Sequence, residues 1–357
     1  MNDFARITSR PGIALEVDDD FDRINALCLE RGWSDGLPVV PPTEQRVERM
    51  LAHCDRAWDE PVAALAPRYA PATPLRLAAN AVMAGCRPEY FPVVIAAIEA
   101  MADPAFNLYG IQATTHPCSP LILVNGPAAR ALGINGGANA FGQGKQANAA
   151  IGRAVRLALV NIGGAIPQLG DMATQGAPTK YTYCAAENEA ESPWEPLHVE
   201  LGYEPGASTV TVIAAEPPHN INDHESTTAD GILKTIAETM AVPGSNNAYH
   251  YACPVVAISP EHAATIAAGG YSKAEVKRHL HQHSRVPFSR FSTENVERRL
   301  KRKLPEEYAA QGLNATAPLA LHAEDIYVIV VGGAGKHSAF IPTFGTTRPV
   351  TREIATR

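Results

Sequence analysis

The stretch TVTVIAAEPPHNINDHESTTADGILKTIAETM, residues 209–240, decides the fold class. Its first seven residues are small or β-branched and apolar, which reads as a buried strand. Pro217 and Pro218 stop that strand. The Asx-rich run after them suits turns and a helix N-cap, and TADGILKTIAETM reads as the helix that follows. LILVN (121–125), PVVAIS (254–259) and DIYVIVVGG (325–333) are further apolar runs, most of them followed by Gly, Pro or polar turns and then helical segments. This alternation predicts an α/β fold with an at least partly parallel sheet.

Working outward, residues 1–42 read as an N-terminal arm and helix, 43–190 as a first α/β lobe and 197–357 as a second. ENEAESPWEP (187–196) reads as an exposed connection between them. The lobes show similar order. EAMADP (99–104), NLY (107–109), SPLILV, an Ala-rich helix and Gly136-Gly137 match ETMAVP (238–243), NAY (247–249), CPVVAI, an Ala-rich helix and Gly269-Gly270. Aligning Pro120 with Pro254 places His116 over His250. The match predicts an internal duplication, with two similar strand–helix lobes and the site between them.

The chain has 357 residues, is 46% hydrophobic and 19% charged, and so can bury a sizeable core. A net charge of −7 argues against a nucleic-acid groove. ERRLKRKLPEE (297–307) is the one basic stretch, and its flanking acids make it read as a solvated helix face. Six single Cys without a CxxC pair favour reduced thiols. The N-terminus shows no apolar leader, and no run reaches the roughly 18 apolar residues of a membrane span. The expectation is a cytoplasmic protein outside the membrane, forming a homo-oligomer.

Ligands of open α/β sheets bind beyond the carboxyl ends of the strands, where three polar or Gly-rich loops would converge here. In EPPHNINDHESTTADG (216–231), Asn222, Asp223 and Ser226 suit helix capping, but caps do not call for imidazole. His224 beside Asp223 and Glu225 suits a general base with an orienting carboxylate. His219, Asp223 and His224 are the alternative, a divalent metal set. GGAGKHSAF (332–340) lacks the first glycine of a Walker A loop, but Lys336, His337 and Ser338 suit an anion pocket. Lys145 stands before a predicted helix N-terminus that suits a carboxylate or phosphate. Cys118 with His116 is a candidate thiol–imidazole pair, and His116, Asn222, Asn246 and Asn247 could hold a polar substrate. His279, His281 and His283 cannot all share one helix face.

The segments GWSDGLPVVPPTEQRVERML, IQATTHPCSPLILVNGP, TQGAPTKYTYCAAENEAESPWEPLHVE, NINDHESTT and GGAGKHSAFIPTFG resemble a bacterial family of about this length. The GLPVVPPT start is also similar to that of the UGSC-type (seleno)proteins. The UGSC signature, a Cys or selenocysteine before Gly-Ser-Cys, is absent, so a redox-active selenothiol role does not carry over to this chain. It implies a separate thiol-bearing subunit as a partner. The residues themselves point to an enzyme of a small polar substrate, a lyase or hydrolase acting on a carbon–heteroatom bond by His/carboxylate chemistry. The alternative is a non-catalytic subunit or scaffold.

Overall fold

A computed structural model describes residues 14–355, so the beginning of the arm and helix expected over 1–42 lies outside the described residues. Asp20 opens helix α1 (Phe21–Glu30) by accepting from the Arg23 N–H. Then come α2 (Glu44–Leu51), the hairpin β1 (Ala63–Leu65) and β2 (Ala70–Ala72), and α3 (Pro74–Met83), capped by Thr73 with proline at its first position. The next elements are α4 (Phe91–Ala102), α5 (Leu108–Ala113), β3 (Ser119–Asn125), α6 (Pro127–Ala131), α7 (Gln146–Asn161), β4 (Cys184–Ala186) and α8 (Leu197–Glu200). β5 (Thr209–Ala215) and β6 (His219–Asn222) follow, then α9 (Ala229–Met240), α10 (Asn246–Tyr249), β7 (Val255–Ile258), α11 (Pro260–Ala268) and α12 (Lys273–His283). The small pair β8 (Arg285–Pro287) and β9 (Thr316–Pro318) precedes β10 (Tyr327–Val330), β11 (His337–Ile341) and β12 (Val350–Glu353).

Two four-stranded sheets are stacked face to face, in the orders β12-β5-β3-β4 and β6-β11-β7-β10. Alternate side chains show the layering. Leu121, Leu123 and Ile213 of the first sheet share one buried core with Val255, Ala257, Ile329 and Ile341 of the second. Ile122, Val124, Val210 and Val212 point the other way, into a core with α3, α4 and α7. Val256, Ile258, Val328 and Phe340 likewise point toward α9, α11 and α12. Every residue of β3 and β5 is therefore buried, which explains why these strands are unbroken apolar runs rather than alternating ones.

The sheets correspond strand for strand. In the first, β3 is parallel to β4 and antiparallel to β5, which is antiparallel to β12. In the second, β7 is parallel to β10 and antiparallel to β11, which is antiparallel to β6. The chain also exchanges strands: β6 follows β5 but joins the second sheet, and β12 follows β11 but joins the first. Sheet membership thus changes between β5 and β6 and again between β11 and β12. This is a correspondence of order and direction, and the sequence duplication itself stays an expectation.

The expected exposed connection at 187–196 is a tie between the sheets. The Glu187 carboxylate is buried, accepting from Asn125 Nδ2 of the first sheet, from Leu197 N and from Val330 N of the second. Trp194 packs on the second outer core. Among the described residues, no single helix is long and apolar enough to cross a membrane.

Candidate functional site

The residues singled out in the sequence do not share one pocket. They separate to opposite ends of the strands, because His337 begins β11 whereas the groups around His116 gather seven residues further on, at Phe344. At about 3.3 Å per residue that is roughly 20 Å.

At the first end the three loops do converge. Asn222 of β6 pairs with His337 of β11, and Gly332 N–H donates to Gly136 O at 2.8 Å. Both segments had read as loops; they are strands, β6 at the sheet edge and β11 beside it, with His219, Asn222 and His337 exposed and Ser338 buried. His224 Nε2 lies 3.1 Å from His337 Nε2, and both side chains are exposed. Lys336 Nζ donates to the His224 carbonyl at 3.0 Å. Asn222, His219 and Glu225 are exposed, and Lys145 is exposed at the N-cap of α7.

Three expected roles fail here. Asp223 does not orient His224: its carboxylate accepts from Ser226 N and Thr235 Oγ1. Burial works to raise that carboxyl, but these hydrogen bonds outweigh it and the net shift is downward. His219, Asp223 and His224 form no metal set, since among the described residues no three His, Cys, Asp or Glu are placed to hold an ion. Ser338 is buried, accepting from Ser259 N and paired with His262 Nδ1 at 2.8 Å, so its hydroxyl is unavailable to an anion. His262 was not anticipated. Its other nitrogen bonds the Asp223 carbonyl, making it a structural tie.

The second end is where the sheets meet. β3 and β7 begin there, and β5 and the chain beyond β11 join through an Ala215–Thr343 bridge. His116 Nε2 lies 2.6 Å from Glu216 Oε1, the two side chains being 14% and 24% exposed. The imidazole stacks on Phe344 at 5.6 Å between ring centres. Its Nδ1 is buried and has no partner among the described residues. With Nε2–H given to the carboxylate, the neutral ring carries its lone pair at Nδ1.

His250 comes to the same place from the other half. A Cβ on Gly345 would collide with His250, so glycine there lets the chain beyond Phe344 pass close to the imidazole. Arg299 donates to His250 Nε2, which leaves the proton of the neutral ring at Nδ1. Burial, Arg299, Lys303 and His116 together hold His250 below the usual imidazole value. Lys303 donates to Tyr249 O and lies over the Tyr251 ring; burial, then Arg299, pull it down to about 8. The basic stretch expected to be a solvated face thus turns two of its cations toward His250. A cavity of about 280 Å³ begins beside this group, lined by Tyr251, Cys253, Asp325, Thr346, Thr347 and Arg348.

Cys118 is fully buried nearby and burial pushes its thiol up to about 12, which rules out a resting thiolate. Around it Lys180 pairs with Asp171 at 2.7 Å, and Arg156 is buried 3.8 Å from the same carboxylate. Asn246 and Asn247 hold Thr343: Asn246 Nδ2 donates to its carbonyl, Asn247 Nδ2 to its hydroxyl, and Asn247 Oδ1 accepts from its N–H. Their amides position the Phe344 turn and are not free to take a substrate.

Glu216 was passed over although it directly follows a predicted strand. Its signal was positional: β3 and β5 are antiparallel neighbours, which carries the end of β5 to the start of β3, where His116 stands. His250 was visible through the repeat alignment. Arg299 and Lys303 gave no local signal. The chain matches no family model, no curated protein and no solved structure.

Proposed function

We propose that the protein is an enzyme of a small, polar, anionic substrate, a lyase or hydrolase that makes or breaks a carbon–heteroatom bond by acid–base chemistry at the second end. His116, oriented by Glu216, takes a proton at Nδ1. His250, kept neutral with Arg299 on its Nε2, donates a hydrogen bond from Nδ1–H to the substrate without giving up that proton, and His116 returns the proton it has taken to the leaving group. Arg299 and Lys303 hold the negative charge of the substrate and of the transition state. The observation that carries this reading is the partly buried His116–Glu216 pair, its inner nitrogen unpartnered among the described residues, stacked on Phe344 where the next residue, Gly345, packs against His250. Proton NMR of the protein with a panel of small carboxylates and phosphate esters tests it. Wild type transforms at least one compound, and Glu216→Gln slows that reaction about 100-fold. Wild-type rates in both Glu216→Gln and His116→Asn would exclude the assignment.

One observation favours a second reading, a subunit of an assembly. Phe21, Leu29 and Trp33 are 56%, 54% and 40% exposed near the N-terminal end, together with Leu15, Val17 and Leu37. Light scattering after size exclusion checks for a homo-oligomer, and co-purification from the native operon checks for a thiol-bearing partner.

A further inference from the structure

His224 and His337 remain unused by the proposed reaction. We propose that they form a surface site for a late first-row divalent cation such as Zn²⁺ or Cu²⁺, with water completing its coordination. Their Nε2 atoms are 3.1 Å apart. Two metal–nitrogen bonds of about 2.0–2.1 Å enclosing roughly 90–110° set nitrogens about 2.9–3.4 Å apart, so the pair has the required bite. His337 Nδ1 lies 3.0 Å from Asn220 Oδ1. That bond holds the proton at Nδ1 and leaves the lone pair at Nε2, the support that metal-binding histidines ordinarily have.

The scaffold keeps the two rings in place. His337 starts β11 opposite Asn222, and Asp223 N–H donates to Lys336 O, so the His224 turn is tied to the same strand pair. Both imidazoles are exposed and accessible to an ion. Neutral imidazole suits zinc and copper, and the Irving–Williams order places Cu²⁺ tightest. The ammonium of Lys336, bonded to the His224 carbonyl, is a nearby feature that opposes a cation.

Calorimetric titration of chelator-treated full-length protein with ZnCl₂, and separately with CuCl₂, tests the site. The expected result is a single ion per chain, weakened at least about tenfold in His224→Ala and in His337→Ala, and about tenfold in Asn220→Ala. Lys336→Gln binds more tightly. His279→Ala, which removes one ring of the helical pair at 4.3 Å, binds as wild type. The same 3.1 Å contact also suits a plain N–H···N hydrogen bond. Absence of saturable binding, wild-type affinity in both histidine variants, or loss of binding in His279→Ala would overturn the proposal.

Discussion

Glu216 takes a hydrogen bond from His116, whereas Arg299 gives one to His250. These partners assign opposite tautomers to two identical side chains, one with a free lone pair at Nδ1 and the other with a proton there. The difference has a consequence for stability. Because the folded state lowers the pKa of His250, the unfolded chain binds more protons as pH falls through the ordinary histidine value of about 6.5. Stability therefore decreases below that pH. The His250→Gln variant is expected to show a shallower decline between about pH 7 and 5 in urea titrations, and an unchanged slope would contradict the shift. Cys118 makes a separate prediction. Its buried, protonated thiol takes no part in the proposed chemistry, so Cys118→Ala should turn over substrate within a few-fold of wild type while melting lower. Loss of all activity with the fold intact would restore the nucleophile reading.

Arg153 of α7 joins both oxygens of Asp35 at 2.8 Å and also donates to the carbonyls of Leu37 and Pro38, which pins the WSDGLP turn. Burial would raise the Asp35 carboxyl, but the Arg153 hydrogen bond and charge prevail and it ends below its usual value. This contribution is present above the ordinary aspartate pKa of about 3.9 and is lost as pH falls through the lower folded value. Asp35→Asn should cost about 3 kcal/mol at pH 7 by chemical denaturation, because it leaves a guanidinium without its charge partner. The same scale shows what sequence patterns reveal. β3, β5, β7 and β10 are covered on both faces, so each is an unbroken apolar run and each was legible. β6 (HNIN) and the start of β11 carry polar residues on an open edge, and such segments are locally indistinguishable from turns. The residues those segments carry were found, but their role was assigned to the wrong partners. Asp223 and Ser338 had looked like site residues because nothing local tells a buried hydrogen-bonding side chain from a reactive one.

At the scale of the whole molecule, the two sheets share one inner core, and the first is completed by β12, which the chain reaches only after it has built the second. The first sheet cannot be completed without the last strand of the chain. The prediction is a single cooperative unfolding transition, with near-UV and far-UV circular dichroism coincident in urea; two separated transitions would mean independent domains. The shared construction also brings His116 and His250 together, since β3 and β7 begin where the Ala215–Thr343 bridge joins the sheets. The groups that had been expected to meet, His116 with His224 and His337, cannot do so because strand length separates them. Long-range ¹H–¹⁵N correlation spectra of the imidazoles, assigned with His→Gln variants, test this meeting most directly. The account predicts the Nε2–H tautomer for His116, the Nδ1–H tautomer for His250, and movement of both ring signals in Glu216→Gln while the His224 signals stay in place. The same tautomer at both rings, or a His250 signal indifferent to Glu216→Gln, would contradict it.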